Sequence, residues 1–279
     1  MIKVVTDSTA DIPQELLDRY DIRLVPINIQ FGTETYQEGI DIDRPTFFRK
    51  LDEYPTIPMS SQPSPGQFVE VFRPLVEEGH SVISVHVTSK HSGTYQSALL
   101  AKSMLPGTDI EVFDSLSISI GTGYQALAAA RAAEEGKSMK EIIHMLEGIR
   151  SRMSLYLTPA TLKYLQKSGR VGKLAGALGA LLNIKPIIKV EDGVLEAFQN
   201  VRTRSKAIER LIELTAEAVG TTDPVKIGIP HAEAPEEAEE LRKRLERTFN
   251  VDEMLVVPLA CSLTVHGGPG IIGIVAYPV

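Results

Sequence analysis

The chain contains the stretch Ser81-Val82-Ile83-Ser84-Val85-His86-Val87, followed by Thr88-Ser89-Lys90-His91-Ser92-Gly93-Thr94 and by a helix-forming run from Tyr95 to Leu105. The short β-branched run predicts a buried strand, and the hydroxyl residues fall where this strand gives way to a helix. Such a junction can direct backbone N–H groups and hydroxyls at an anion, and ligands of open α/β sheets bind beyond the carboxyl ends of strands. We therefore predict a binding site around Ser92. A plain N-cap at Ser92 with a turn at Gly93 fits this segment equally well.

Strand-like and helix-like runs alternate through the first half of the chain, which is typical of βαβ units and a mostly parallel sheet. Strands are predicted near Lys3–Thr6, Arg23–Gln30, Val82–Val87 and Ile110–Phe113. Helices are predicted near Pro13–Tyr20, Pro45–Glu53, Pro65–Glu78, Tyr95–Met104, Ile120–Glu135 and Met139–Ser151. The predicted fold class is α/β, with a mostly parallel sheet in the N-terminal domain.

The pattern of predicted strands and helices changes near residues 153–160. We therefore predict two domains, 1–155 and 156–279, of which the second is a smaller α/β domain. Thr158-Pro159 predicts a capped helix running to about Ser168-Gly169. Asp192-Gly193 is a strong hairpin signal between two short strands. The other predicted elements are helices at Lys173–Leu182, Ser205–Val219 and Pro235–Thr248, and strands at Val225–Ile229, Met254–Leu259 and Ile271–Tyr277.

Two further clusters combine small polar residues with glycine or proline. In the segment Met59–Gln67, Ser64 is predicted as an N-cap with Gln67 completing a capping box, which leaves Ser60 and Ser61 without a structural explanation. The segment Val265–Gly270 is rich in glycine and is predicted to be a loop. It carries His266, which can donate a hydrogen bond to an anion.

Composition limits the classes of function. The net charge of −7 over 279 residues argues against a general nucleic-acid or membrane-surface role, because both need a basic face. The single cysteine, Cys261, excludes an internal disulfide and is predicted to be a buried, inert thiol. No apolar run approaches the roughly 20 residues of a membrane span, and Met1–Asp7 reads as a strand rather than a signal peptide. We therefore expect a cytoplasmic protein without stable membrane insertion.

The signatures of common enzyme classes are missing from the sequence. No nucleotide-phosphate motif is intact, the histidines lack metal-ligand spacing, and no serine sits in a nucleophile elbow. Ser92 and His266 could form a nucleophile–base pair, but no acid is nominated to orient the histidine. Asp7 could be catalytic or could cap backbone amides. The candidate contacts suit recognition of a carboxylate or phosphate: hydroxyls, His266 and one of Arg170, Arg202 and Arg204. We therefore predict a binding protein and not an enzyme.

Motifs along the whole chain resemble those of the DegV family, the fatty-acid-binding subunits that work with a bacterial fatty acid kinase. The resemblance is carried by Thr6-Asp7-Ser8-Thr9-Ala10-Asp11-Ile12-Pro13, Ser60-Ser61-Gln62-Pro63-Ser64, Ser92-Gly93-Thr94-Tyr95-Gln96-Ser97-Ala98, Phe113-Asp114-Ser115, Tyr164-Leu165 through Gly169-Arg170, Lys185-Pro186-Ile187-Ile188, and His266 with Gly268-Pro269-Gly270.

The resemblance implies a two-domain α/β fold with a long-chain fatty acid such as palmitate buried between the domains. It implies no cofactor and no metal, and a partner, the fatty acid kinase catalytic subunit, that converts the presented carboxylate to an acyl phosphate for phospholipid synthesis. The implied ligand-binding residues are Ser60, Ser61, Ser92, Gly93, Thr94, Arg170 and His266. Arg202 is implied in docking of the kinase.

The sequence departs from the family pattern at two positions, and two other functions stay open. Ser60 replaces the more usual threonine, and Ser168 replaces a glycine ahead of Gly169-Arg170. The apolar, small-residue helix at 174–182 is equally typical of a wall of an acyl tunnel and of ordinary helix packing. A stand-alone enzyme that uses Ser92 and His266 on a small anionic substrate is the alternative function. A lipid-responsive regulator with another partner would need the same pocket.

Overall fold

The computed structural model describes residues 1–169 and 184–279, which divide into two compact units, Met1–Ser151 and Arg152–Val279. The sequence-based division between residues 155 and 156 falls within a strand of the second unit, Ser154–Thr158. The first unit has two sheets and the described part of the second has one, and each unit has its own hydrophobic core. The predicted α/β class, with a parallel sheet in the first unit, is confirmed.

The first unit contains, in chain order, β1 (Ile2–Asp7), a 3-10 turn (Ser8–Ala10), α1 (Gln14–Arg19), β2 (Arg23–Val25), β3 (Asn28–Phe31), β4 (Glu34–Gln37), α2 (Arg44–Glu53), β5 (Met59–Ser61), α3 (Pro65–Glu77), β6 (Ser81–His86), α4 (Thr94–Ser103), β7 (Ile110–Asp114), α5 (Ile120–Glu134) and α6 (Met139–Arg152). The predicted helices of this unit all form, with ends that agree to within one or two residues.

A parallel sheet with the strand order β2-β1-β6-β7 lies at the centre of this unit. The helices α3 and α4 cover it through the buried side chains of Phe68, Phe72 and Ala98. Because the strands are parallel, their last residues meet at one edge, where Asp7 ends β1 and Asp114 ends β7. We call this the carboxyl edge of the sheet, and it is where ligands of such sheets bind.

The predicted strand Arg23–Gln30 is wrong as a single element. It is two strands in two different sheets: β2 pairs in parallel with β1, and β3 pairs antiparallel with β4 and β5. Pro26 separates them, because proline has no N–H to contribute to a ladder and its ring restricts the backbone. The resulting small sheet includes β5, which carries Ser60 and Ser61 and was not predicted as a strand.

The capping box that was predicted before α3 is confirmed. The Ser64 hydroxyl accepts from the Gln67 N–H at 3.3 Å, and the Gln67 Oε1 accepts from the Ser64 N–H at 2.9 Å. The Ser64 side chain therefore caps a helix, whereas Ser60 and Ser61 lie on the strand β5.

The second unit contains β8 (Ser154–Thr158), α7 (Lys163–Ser168), β9 (Lys185–Glu191), β10 (Val194–Val201), α8 (Arg204–Val219), β11 (Val225–His231), α9 (Pro235–Thr248), β12 (Val251–Pro258), α10 (Cys261–Gly267) and β13 (Ile272–Pro278). Its mixed sheet has the strand order β10-β9-β8-β13-β11-β12. The predicted hairpin is confirmed: Asp192 and Gly193 both have positive φ, 48° and 79°, as a two-residue I′ turn requires.

Two predictions in the second unit are wrong. Thr158 does not cap a helix; it is the buried last residue of β8, paired with Ile272, and the next helix begins only at Lys163. His266 does not lie in a loop but in the last turn of α10. The glycines begin at Gly267, where the helix ends, and burial of Cys261 and Val265 holds the preceding turn in place. The buried thiol of Cys261 agrees with the prediction for that residue.

Substitution of Gly268 by alanine is expected to destabilise the second unit by about 2–4 kcal/mol. Gly268 has a φ of 78°, and an added Cβ would lie 2.3 Å from Cδ2 of the Tyr164 ring. Gly220 has nearly the same φ, 74°, but open space around its missing Cβ. Urea unfolding of Gly268→Ala and Gly220→Ala therefore separates the steric cost from the backbone cost. Equal losses in the two variants would contradict the packing of Tyr164 on Gly268.

Candidate anion-binding site

Two hydroxyl-bearing segments that are distant in sequence meet in the first unit. Ser60 lies on β5 opposite Ile29 of β3, and Gln62 follows directly after this strand. A Cβ placed on Gly93 would lie 3.0 Å from both Cδ and Nε2 of the Gln62 side chain. The Ser-Ser-Gln segment therefore packs against the turn that begins α4. Gly93 has a φ of −80°, so its role is to allow this close approach and not a left-handed backbone.

Ser92 is not the N-cap of α4, since that position belongs to Gly93. The Ser92 hydroxyl accepts from the Thr94 N–H at 3.2 Å and lies 2.8 Å from the Thr94 Oγ1. Ser92 is partly exposed, whereas Thr94 is buried. Gly93 has no side chain that could cap the helix. The partly exposed Ser92 hydroxyl lies beside the positive N-terminal end of α4. This arrangement is able to hold an anion.

Asp7 lies at the carboxyl edge with both of its carboxylate oxygens engaged. Oδ1 accepts from the N–H and the hydroxyl of Thr9, at 3.1 Å and 2.5 Å. Oδ2 accepts from the Val87 N–H at 3.1 Å and lies 3.0 Å from Nδ1 of His86. Of the two roles considered for Asp7 from the sequence, the structure shows the capping of backbone amides.

The sequence reasoning missed a buried Ser84–His86–Asp7 network. His86 Nε2 lies 2.5 Å from the Ser84 hydroxyl, and Nδ1 faces Asp7, in the order found in a hydrolase triad. All three residues are completely buried, so the Ser84 hydroxyl is closed off from solvent, and the network joins the ends of β1 and β6. Only part of this pattern is visible in the sequence: Ser84 and His86 lie on the same face of a predicted strand, but the sheet order is what brings Asp7 beside them.

Asp114 is a second carboxylate at the carboxyl edge that the sequence reasoning assigned no role. Its Oδ1 accepts from the N–H groups of Ser89 and Leu116, each at 3.1 Å. Ser89 precedes Ser92 by three residues. Asp114 therefore connects the end of β7 to the loop that carries the candidate hydroxyl.

The remaining predicted site residues are divided between the second unit and the undescribed part of the chain. His266 is partly buried at the end of α10, and Arg202 is exposed just before Thr203, the N-cap of α8. Arg170 lies outside the described residues, as does the helix predicted at Lys173–Leu182. The structure thus brings Ser60, Ser61, Ser92, Gly93 and Thr94 together in one unit, and places His266 and Arg202 in the other.

Arg204, one of the three arginines considered as anion contacts, is engaged within the second unit. Its guanidinium donates to Glu237 through Nε and Nη2, at 3.0 Å and 2.5 Å. It also donates to the carbonyls of Thr158 and Gly270, at 2.9 Å and 2.7 Å. This side chain joins a strand end, a helix and a loop, so its role is to organise the unit.

Over residues 1–169 and 184–279, no helix is long and apolar enough to cross a bilayer. In the same part of the chain, no group of three or more histidine, cysteine, aspartate or glutamate residues is arranged to hold a metal ion.

The chain is thus an α/β protein of two compact units, and in the first unit hydroxyl residues lie beside a helix N-terminus near the carboxyl edge of a parallel sheet. The chain belongs to the DegV family, whose model, described as "uncharacterised protein, DegV family", matches residues 1–279. This result confirms the resemblance that the sequence motifs indicated.

Relatives and solved structures match the chain over nearly its whole length. Protein DegV of Bacillus subtilis is 34% identical over 274 residues, which are 98% of each chain. A structure of a fatty-acid-binding DegV family protein from Thermus thermophilus has a TM-score of 0.94 and 34% identity, covering 100% of this chain and 99% of that one. A stearic-acid-binding protein from Eubacterium ventriosum has a TM-score of 0.91 and 29% identity, covering 100% and 98%.

Proposed function

We propose that this protein binds a long-chain fatty acid such as palmitate and holds its carboxylate with Ser60, Ser61, Ser92, Gly93 and Thr94. The observation that carries the proposal is the packing of Gln62 on Gly93, which joins two hydroxyl-bearing segments beside the N-terminus of α4. Hydroxyls and backbone N–H groups at a helix N-terminus suit a carboxylate. The fatty-acid-binding structures of related proteins support the identity of the ligand.

The two ends of such a ligand contribute differently to binding. Each buried CH₂ group is worth about 0.8 kcal/mol, so a long acyl chain supplies most of the binding free energy. The head-group donors fix the orientation of the chain and select an acid over a neutral lipid. We assign His266 and Arg170 to the same head group on the basis of the family resemblance.

We further propose that the protein acts in the cytoplasm as the substrate-presenting subunit of a fatty acid kinase and does not catalyse the reaction itself. The kinase would transfer the terminal phosphoryl group of ATP to a carboxylate oxygen and yield an acyl phosphate for phospholipid synthesis. The exposed position of Arg202 is compatible with docking of such a partner. The described contacts of the Ser92 hydroxyl are with Thr94, a partner that cannot serve as a general base, which favours binding over nucleophilic catalysis.

Native mass spectrometry of the purified protein, followed by denaturing extraction, tests this function directly. We expect a long-chain fatty acid that is bound at one equivalent, or that is taken up when palmitate is added to delipidated protein. Protein that is empty and also fails to take up palmitate would overturn the proposal. Formation of acyl phosphate with ATP and a kinase catalytic subunit, dependent on this protein, tests the partner role separately.

Substitution of Ser92 by alanine is expected to weaken palmitate binding about tenfold or more, because a hydrogen bond to a charged group is worth about 1.5–3 kcal/mol. Ser103→Ala is the matched control, since Ser103 is an exposed serine at the other end of α4 whose hydroxyl donates to the Leu100 carbonyl. Partition of radiolabelled palmitate between vesicles and each variant gives the affinities. Unchanged affinity in Ser92→Ala would remove this residue from the site.

A further inference from the structure

The loop that carries Ser92, residues 87–93, is held to the carboxyl edge through three consecutive backbone N–H groups. The Val87 N–H donates to Asp7 at 3.1 Å, the Thr88 N–H donates to the Ser117 carbonyl at 2.9 Å, and the Ser89 N–H donates to Asp114 at 3.1 Å. We call residues 87–93 the Ser92 loop. Each acceptor belongs to a different strand end or turn, so the surroundings fix the position of this loop, whose Lys90 and His91 N–H groups also donate to Thr88 within it.

Asp114 supports two of these three attachments. Besides accepting from Ser89, its Oδ1 accepts from the Leu116 N–H and so, together with the Ser115 hydroxyl that accepts from the Ser117 N–H at 3.1 Å, holds the turn that presents the Ser117 carbonyl to Thr88. Leu116 has a φ of 47°, a conformation that a leucine adopts only when its surroundings enforce it. The Asp114 carboxylate is one of the groups that compensate for this strain.

The backbone of Asp114 is itself fixed in place. Nη1 of Arg150 donates to the Asp114 carbonyl at 2.8 Å, and the same guanidinium lies 4.7 Å from the centre of the Phe113 ring. The Ser115 N–H donates to the His86 carbonyl at 3.0 Å. The carboxylate therefore projects from an anchored strand end, as a group that positions a neighbouring loop requires.

We propose that Asp114 is a positioning residue for fatty-acid binding, which sets the place of the Ser92 hydroxyl through the Ser89 N–H and the 115–117 turn. The inference rests on the proposed function, in which Ser92 binds the carboxylate. Asp114 itself does not contact the ligand. Asp114 affects only the binding of the head group, because apolar burial of the acyl chain does not depend on the position of one hydroxyl.

Two substitutions at this position separate its role from a general effect on folding. In Asp114→Asn, the remaining oxygen can still accept from both Ser89 and Leu116, because both described hydrogen bonds of the carboxylate go to one oxygen. In Asp114→Ala, both bonds are lost. Asp43→Ala is the matched control: Asp43 accepts from the Thr46 N–H as the N-cap of α2, so the change also removes a carboxylate from a backbone amide, but in another part of the unit.

The test is the partition of radiolabelled palmitate and of radiolabelled hexadecanol between vesicles and each variant, at a temperature where circular dichroism shows all of them folded. We expect Asp114→Ala to bind palmitate about tenfold more weakly, with hexadecanol binding unchanged. We expect Asp114→Asn and Asp43→Ala to stay within about twofold of the natural protein for both ligands.

The possible results distinguish this inference from the proposed function. Equal weakening for the acid and the alcohol in Asp114→Ala would show a general structural role and overturn the inference. If the natural protein binds palmitate and Asp114→Ala binds it with the same affinity, the inference is overturned as well. Failure of the natural protein to bind palmitate would overturn the proposed function instead.

Discussion

Replacing Asp7 by asparagine is expected to lower the free energy of unfolding of the first unit by about 3–5 kcal/mol, because the substitution breaks a buried and fully hydrogen-bonded network. Each carboxylate oxygen has two polar partners: Oδ1 accepts from the N–H and hydroxyl of Thr9, and Oδ2 accepts from the Val87 N–H and lies 3.0 Å from Nδ1 of His86. An amide in either orientation directs its NH₂ group at a backbone N–H, that of Thr9 or that of Val87, which can only donate. Asp7 is completely buried, so water cannot replace the lost bonds.

Urea unfolding, followed with hydrogen exchange of the first-unit amides, measures the effect of Asp7→Asn. Asp109→Asn is the matched control, because Asp109 is an exposed aspartate just before β7, and its loss is expected to stay within about 0.5 kcal/mol. A loss below about 1 kcal/mol in Asp7→Asn would contradict the buried hydrogen-bonded environment of the carboxylate. The effect should also reach α3, because the ring of His86 packs edge to face on Phe68 with centroids 5.0 Å apart.

Truncation of Arg204 to alanine is expected to destabilise the second unit by about 2–4 kcal/mol, because it removes the donors to two backbone carbonyls and to the Glu237 carboxylate. The side chain is three-quarters buried, with 24% of its surface exposed, so the lost bonds are only partly replaced by water. Lysine is not expected to restore stability, since a single ammonium cannot reproduce the planar fork that reaches Thr158, Gly270 and Glu237 together.

Arg210→Ala is the control for this prediction. Arg210 lies on the same helix, α8, and is 25% exposed, but its described hydrogen bonds go to side chains: Gln199, and Glu213 and Glu217, which are 53% and 61% exposed. Ion pairs to such exposed carboxylates contribute little to stability, so a clearly smaller loss is expected. Urea unfolding of the two variants under the same conditions makes the comparison. Equal losses, or recovery of stability in Arg204→Lys, would contradict the organising role of the guanidinium.

The sequence predicted best those features that depend on neighbouring residues. The capping box of Ser64 and Gln67 links residues three positions apart, and the I′ turn at Asp192-Gly193 requires only that two residues tolerate positive φ. The charged helix Pro235–Thr248 has the predicted ends, because its proline and its apolar spacing act within a few turns. The family was likewise identified from short motifs, which can be recognised without knowing which residues they contact in the fold.

The sequence by itself thus determined the α/β class, most element boundaries and the Ser92 stretch as a candidate site, because short-range sterics and hydrogen bonding decide these. Only the tertiary structure decided that β2 and β3 belong to different sheets, that Gln62 packs on Gly93, and that His86 meets Asp7 across 79 residues of chain. Such contacts depend on which strands are neighbours in the sheet. Strand order is fixed by the packing of the whole unit, and no local pattern of residues encodes it.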